Sequence, residues 1–269
     1  MPARIAVLLT CHNRREKTLQ CLHNLATQEL PEGATMQTTL VDDGSTDGTS
    51  DAVLERFPDA TVLHGDGSLY WCGGMRMAWN AAAKNDPDYY LLANDDTMLD
   101  PRCVHTLLDM VGSQNSRIIA VAAIRDPESG IRTYGGIRGE NTAVELTGSV
   151  ELCDTFNANA VLVPRKVYSE LGGFHSVYRH GMGDFDYGFL ASRSGIRILQ
   201  SARSLGTCAR NSSFGTWRDT SLSRRERFRK LQSTKGLPWK EWVTYNRRNA
   251  GWLWPWRCIS PYLRILTGR

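Results

Sequence analysis

An α/β fold with a mainly parallel sheet flanked by helices follows from three patterns in this 269-residue chain. Short β-prone apolar runs alternate with segments of helical period. Two of those runs end in carboxylate-rich turns. Apolar residues make up 41% of the chain and charged residues 22%, the balance of a folded domain.

The first run, Ile5-Ala6-Val7-Leu8-Leu9, ends in Thr10-Cys11-His12-Asn13-Arg14 and leads into a helical pattern at Leu19, Leu22, Leu25 and Ala26. Thr39-Leu40-Val41 is the second, feeding a short helix through Ala52, Val53 and Phe57. Thr61-Val62-Leu63 is the third, with Met75, Trp79 and Ala82 at helical spacing behind it. Tyr89 to Ala93 is the fourth; Pro101 then opens a helix through Val104, Leu107, Leu108 and Val111, because proline's missing N–H costs nothing at a first helical position. Residues 118–124 form the fifth run, and a later helix begins near Asp184, carries Tyr187, Leu190 and Ala191, and stops at Ser194-Gly195. Continuous apolar runs of this length suit strands buried on both faces, and their alternation with short helices reads as βαβ units.

The two acidic turns are Val41-Asp42-Asp43-Gly44-Ser45 and Asn94-Asp95-Asp96-Thr97. In open α/β sheets ligands bind off the carboxyl ends of the strands, so acids at two such ends share one crevice. Carboxylates gathered there repel one another unless a cation lies between them, and oxygen ligands suit Mg²⁺ or Mn²⁺. A divalent ion beside a nucleotide fold points to a diphosphate. The same residues are also ordinary turn chemistry.

Bulk properties narrow the setting. Seven scattered cysteines, odd in number and without a CxxC pair, fit reduced thiols rather than a disulfide framework or a zinc site. An apolar run starts within the first residues, leaving no room for a signal peptide, and no stretch approaches the roughly 18–20 apolar residues of a spanning helix. A cytoplasmic protein is therefore expected. Charge divides the chain: residues 1–209 carry a net −7 and residues 210–269 a net +11, together the +4 of the whole. The basic segment also holds six of the eight tryptophans, Trp217, Trp239, Trp242, Trp252, Trp254 and Trp256. We read residues 1–209 as the α/β domain and 210–269 as a helical appendage. Its tryptophans either pack on that domain or meet an anionic membrane surface, where indoles sit at headgroup level. Nucleic acid is not expected as a partner.

Taken together, Thr10-Cys11-His12-Asn13-Arg14, Val41-Asp42-Asp43-Gly44-Ser45, Asn94-Asp95-Asp96, Gly172-Gly173-Phe174 and Gly183-Asp184-Phe185-Asp186 resemble the ordered motifs of family 2 glycosyltransferases, inverting enzymes of GT-A fold. The resemblance covers roughly residues 4 to 200. It implies that the first strand end (Thr10, His12, Asn13, Arg14) and Asp43 hold the nucleotide of a nucleotide-diphosphate sugar. It also implies that Asp96, with Asp95 beside it, carries a Mn²⁺ or Mg²⁺ ion, and that Asp184 is the catalytic base. Asn94 stands where the commonest motif form has an Asp, leaving less negative charge for the metal. Some family members supply a His to the metal or diphosphate from a segment after the catalytic helix. Here no His follows His180, and Cys208 or Arg210 stands in that region.

Several further residues join these. Gly65 to Arg76 follows the third strand into a helix, where backbone amides at Gly73-Gly74 and the Arg76 side chain are placed to meet a diphosphate. In similar transferases this segment lines the donor site, with Trp71 against a sugar or base; the alternative is an aromatic bracing the loop. Asn157 and Asn159 alternate with Ala158 and Ala160 at the start of an apolar strand, so period two would put both on one face; with Trp71 and Asp186 they are the implied contacts for the acceptor. Asp184 and Asp186 also suit a helix's first turn on electrostatic grounds alone. The Tyr70-Trp71-Cys72-Gly73-Gly74 segment looks like rhamnosyltransferases, which favours a dTDP-sugar over a UDP-sugar. The expected activity is transfer of a sugar to a hydroxyl of a lipid-linked glycan acceptor in surface polysaccharide assembly. The alternatives are a sugar nucleotidyltransferase, whose glycine-rich basic signature is missing after the first strand, and a non-catalytic glycan- or membrane-binding module, which would be expected to lose Asp96 or Asp184.

Overall fold

The computed structural model describes residues 3–113, 115–139 and 141–268, so Arg269, the last residue of the basic segment, and Met1 and Pro2 lie outside the described residues. In chain order the first half comprises β1 (Arg4–Cys11), α1 (Arg15–Ala26), β2 (Thr35–Asp42), α2 (Thr49–Arg56), β3 (Thr61–His64), α3 (Tyr70–Ala82), β4 (Tyr89–Ala93), β5 (Met98–Leu99), α4 (Cys103–Val111) and β6 (Ile118–Arg125). Short strands follow: β7 (Arg132–Tyr134), β8 (Gly136–Arg138), β9 (Thr142–Ala143), β10 (Glu151–Cys153) and β11 (Thr155–Phe156). The remainder is β12 (Ala160–Pro164), α5 (Arg165–Leu171), α6 (Gly183–Arg193), β13 (Arg197–Thr207), α7 (Arg224–Gln232), α8 (Trp239–Asn249) and α9 (Trp254–Thr267).

The main sheet runs β10-β13-β6-β12-β4-β1-β2-β3. Strands β1 to β4 pair in parallel, and β6 pairs in parallel with β13. β12 enters antiparallel between β4 and β6, so β1 to β4, β6 and β13 all point one way, with β12 reversed among them and short β10 reversed at the edge beside β13. Period-two alternation divides the core into two layers. Ile5, Val7 and Leu9 of β1, with Leu91 of β4, face α1 and α4 through Leu19, Leu22, Val104 and Leu107. Ala6 and Leu8, with Tyr90 and Leu92, face α3, α5 and α6 through Met75, Trp79, Val167 and Tyr187. Trp79 anchors the second layer, its ring 5.3–5.7 Å from those of Tyr90, Tyr168, Phe174 and Tyr187.

Three features differ from the expectations. Pro101 lies in a turn, and α4 begins at Cys103. Asn157 and Asn159 precede β12 rather than alternating along it. A second, three-stranded sheet, β11-β8-β9, forms from residues in which no apolar period is visible.

The basic segment is built into the fold. Asp186, almost fully buried, accepts from Arg248 Nε at 2.9 and 3.1 Å and from Asn249 Nδ2 at 2.8 Å. Buried Glu241 accepts from Arg179 N and Nε at 3.2 and 3.3 Å. Trp217, Leu231 and Ile265 form a small core of the segment's own. The tryptophans divide accordingly: Trp217 is buried, whereas Trp252 is 83% and Trp256 67% exposed. Along α9, Trp256, Ile259, Leu263 and Leu266 make an exposed apolar stripe at helical spacing. No helix among the described residues is long and apolar enough to cross a membrane.

Gly74 sets how closely α3 lies on β1: a Cβ there would fall 2.2 Å from Thr10 Oγ1. Gly74→Ala should therefore destabilise the protein by about 1–3 kcal/mol, the usual range for overpacking, read from urea unfolding midpoints. Thr10→Ala in the same chain should recover part of that loss. An unchanged midpoint for Gly74→Ala would show that the helix simply shifts.

Candidate active site

Two clusters form where the expected residues gather, at the carboxyl ends of β1, β2 and β4. In the first, His12 Nδ1 donates to the Asp43 carbonyl at 2.6 Å, which leaves Nε2 to accept from Asn13 Nδ2 at 3.2 Å. Asn13, at φ 50°, crosses to the β2 turn through its N–H to Ser45 Oγ and its Oδ1 to Thr46 N, both 2.8 Å. The Asp43 carboxylate is buried and accepts from the amides of Gly67 (2.9 Å), Leu69 (3.3 Å) and Tyr70 (2.8 Å). Asp43 thus fixes the loop entering α3. Gly65 is required beside it, since a Cβ there would lie 2.5 Å from Asp43 Oδ1. Thr10 is buried against Gly74.

The second cluster centres on Arg14. Its Nη1 donates to Asp95 Oδ1 at 2.7 Å and to Asp96 Oδ2 at 3.1 Å. Burial pushes the Asp95 carboxyl above the usual range, Arg14 pulls it back, and the neighbouring Asp96 raises it again. Asp95 Oδ2 is buried without a hydrogen-bond partner. Asp96 is more open, and its Oδ1 faces the Cys208 thiol at 3.6 Å. That thiol is pushed up to about 11 by burial, so it remains a donor at neutral pH. Among the described residues no three His, Cys, Asp or Glu side chains converge as a metal cage. The donor set present is hard oxygen from Asp96, with the orphaned oxygen of Asp95 behind it. This fits a Mg²⁺ or Mn²⁺ ion that takes its remaining ligands from a substrate diphosphate and water.

The loop bearing these acids is braced from two directions. Trp71 Nε1 donates to Asn94 Oδ1 at 2.8 Å, and the Trp71 ring lies 5.4 Å from that of Phe174. Asn159 accepts from Asn94 N through its carbonyl (3.2 Å) and donates through Nδ2 to Thr97 Oγ1 (3.2 Å). Trp71 and Asn159 therefore hold the acidic turn in place.

One residue from Asn159, the Ala158 amide donates to Asp184 Oδ2 at 3.3 Å, while Phe185 N donates to Oδ1 at 2.9 Å. Burial pushes the Asp184 carboxyl up to about 6, and these two amides pull against that rise. Asp184 opens α6 after Met182, whose φ of 70° is uncommon for a side chain of that size. Asn13, Tyr70 and Met182 are three of the four non-glycine residues with positive φ among the described residues, and each adjoins one of these clusters. Such backbone strain concentrates at functional sites.

Other expected residues have partners elsewhere. Asp186 is saturated by Arg248 and Asn249 and faces the C-terminal helices, so it is a tether in place of the expected acceptor contact. Arg76 Nη1 donates to the carbonyls of Tyr178 (2.5 Å) and His175 (3.3 Å), and the Cys72 and Gly73 amides donate to the Arg179 carbonyl at 2.8 and 3.2 Å. These bonds replace the expected diphosphate contact with a brace on the 175–179 loop. The Asn157 amide donates to Gly135 O at 3.0 Å. Sequence reasoning overlooked the Ala158 amide and the Arg179–Glu241 link, because a backbone donor and a pairing 62 residues apart leave no motif.

Comparison with known proteins gives a consistent picture. The family model "Glycosyl transferase family 2" matches residues 6–162, which takes in both acidic turns and stops short of Asp184. The N-acetylglucosaminyl-diphospho-decaprenol L-rhamnosyltransferase of Mycobacterium tuberculosis (strain CDC 1551 / Oshkosh) is 25% identical over 201 residues, 64% of this chain and 66% of that protein. Its counterpart from strain ATCC 25618 / H37Rv gives the same figures, so the chain spans just under two-thirds of the length of these relatives. Among solved structures, a mannosyltransferase from Pyrobaculum calidifontis in complex with GDP-Man and Mn²⁺ superposes with a TM-score of 0.59 at 16% identity, covering 99% of this chain and 75% of that one. Residues 1–349 of S. aureus TarS in complex with UDP give 0.57 at 13% identity, covering 91% and 70%. At these identities the likeness is one of fold.

The Arg14 geometry generates a test. Arg14→Gln leaves a buried Asp95 and its neighbour uncompensated, and should cost about 1–3 kcal/mol. Asp95→Asn in that background should return most of it, giving a coupling energy well outside experimental error in a double-mutant cycle. Additive losses would mean that the pair does not hold the turn.

Proposed function

The chain belongs to glycosyl transferase family 2, and we propose that it is an inverting, metal-dependent glycosyltransferase that moves a sugar from a nucleoside-diphosphate donor to a hydroxyl of a lipid-linked glycan acceptor. The observation that carries this reading is the junction between the acidic turn and the base. Arg14, Asp95 and Asp96 meet at the ends of β1 and β4, and the segment that braces their turn through Asn159 also holds Asp184 through Ala158.

Each requirement of the chemistry has a group in place. The attacking hydroxyl must lose its proton, and a carboxylate pushed up to about 6 by burial is a stronger base than an exposed one while still ionised at neutral pH. The sugar leaves a diphosphate that gains negative charge, and the partly exposed guanidinium of Arg14, beside Asp95 and Asp96, supports a role in meeting it. A divalent ion held by Asp96, with Asp95 behind it, would add further positive charge there when bound. Thr10, His12, Asn13 and Asp43 shape the nucleotide end. A single displacement with one base on the acceptor side inverts the anomeric centre. A dTDP-sugar is the favoured donor, with UDP the alternative, because the segment through Tyr70-Trp71-Cys72-Gly73-Gly74 resembles rhamnosyltransferases and a relative bears that name. That relative's name also supports an acceptor carried on a diphospho-polyprenol and a place in surface polysaccharide assembly. The α9 stripe and the basic segment suit reversible attachment to the inner, anionic membrane face where such acceptors lie.

If Asp184 is the base, Asp184→Asn should lower turnover by at least ~10²-fold, with nucleotide-induced stabilisation intact. Its activity must also follow its ionisation. In the wild type, kcat/KM should be level above about pH 6 and fall tenfold per unit below it. The stability effect has the opposite sign, because ionising a desolvated carboxyl opposes folding; at pH 8 Asp184→Asn should melt no lower than the wild type. A fully active Asp184→Asn enzyme would remove the assignment.

The metal reading is checked separately. UDP or dTDP with Mn²⁺ should raise the melting temperature of the wild type, by mass action, and Asp96→Ala should lose the Mn²⁺-dependent part of that rise and its turnover. Undiminished turnover of the wild type in excess EDTA would refute it.

A further inference from the structure

Between α6 and the C-terminal helices lies a cavity of about 440 Å³, a volume within the range of small-ligand sites. We infer that it is a second binding site, which receives the diphosphate and the first isoprenoid units of the lipid-linked acceptor; this rests on the transferase reading above. Two chemistries meet in its walls. Arg218, Arg257 and Arg264 contribute three positive charges, and no Asp or Glu lies among its described lining residues. Interleaved with them are aromatic side chains, Phe185 and Phe189 from α6 and Trp217 and Trp242 from the C-terminal segment, with the Arg218 guanidinium 5.1 Å from the Trp217 ring centre. A simple anion would use only the first set and a neutral hydrocarbon only the second. An amphiphile with a diphosphate head uses both.

Position makes the same point. Phe185 follows Asp184 directly and donates its amide to the Asp184 carboxylate, so one turn of α6 forms both the seat of the base and the cavity wall. Arg257 and Arg264 are seven residues apart on α9, two turns on one face that lines the cavity, whereas Trp256, Ile259, Leu263 and Leu266 lie on average about 130° further round the helix, on its solvent side. The bulk of the cavity comes from residues after 180, beyond the segment matched by the family model.

The test is direct binding to the full-length protein in EDTA, followed by tryptophan emission, since Trp217 and Trp242 line the cavity. Farnesyl diphosphate should give a saturable change, and farnesol, inorganic diphosphate and a short-chain phosphatidylglycerol should each bind at least tenfold more weakly. Arg218→Glu with Arg264→Glu should weaken farnesyl diphosphate at least tenfold. Ala250→Phe, which narrows the cavity without altering its charge, should do the same and carries the test if the double variant does not fold. Equal binding of farnesol overturns the anion role, equal binding of phosphatidylglycerol overturns the isoprenoid assignment, and unaffected binding by Ala250→Phe overturns the location. A protein that transfers sugar to a soluble acceptor but binds no farnesyl diphosphate loses this site and keeps the transferase reading. One that binds it yet transfers no sugar from any donor supports the site and overturns the transferase reading.

Discussion

Two adjacent carboxylates, one of them buried, cannot both be ionised at a strand end without a cation close by. Arg14 is that cation here. Its reach depends on the parallel register of β1 and β4, which sets Leu8 beside Leu92 and so brings the residues just past each strand to the same edge. Much else follows from this placement. The turn has to be rigid enough to hold Asp95 against the guanidinium, which explains why Trp71 bonds Asn94 and why Asn159 grips both Asn94 and Thr97. The reversed strand β12 is the means by which Asn159 arrives there, and Ala158, its neighbour, then arrives at Asp184.

How much of this was legible depended on the kind of interaction. The strands through Ile5, Leu40, Tyr90 and Ile119 were visible because burial on both faces demands unbroken apolar runs. The Arg14 and Asp95 neighbourhood was visible because strand ends converge in any such sheet. The β11-β8-β9 sheet was not: its strands have two or three residues each, too few for a period to show. Asp184 and Asp186 were separable only by what faces them. Two residues apart on a helix they point nearly opposite ways, and sequence alone does not say that Arg248 waits on one side. Arg76 misled for a related reason, since a basic side chain in a helix's first turns suits a phosphate and a loop carbonyl equally well.

The basic segment shows how composition underdetermines structure. Its six tryptophans suggested either packing or a membrane surface, and the helices divide them: Trp217 fills a core, while Trp252 and Trp256 stand in solvent beside an apolar stripe. Its charge divides as well. Arg248 is consumed by Asp186 inside the protein, whereas Arg218 and Arg264 stay exposed at the rim of the α6 cavity. Net charge counts both kinds alike; only geometry tells which of them a ligand can meet.

The bond between Glu241 and Arg179 gives the molecule a mechanical property. Arg179 is gripped by α8 through its side chain and amide, and its carbonyl in turn holds the amides of Cys72 and Gly73 at the head of α3, next to Trp71 and so to Asn94. Pulling α8 away would slacken α3 and the acidic turn in sequence, like a drawstring run through three seams. The last helices are therefore not a detachable handle. Shortening the chain from its end would loosen the acidic turn long before it reached any residue of that turn.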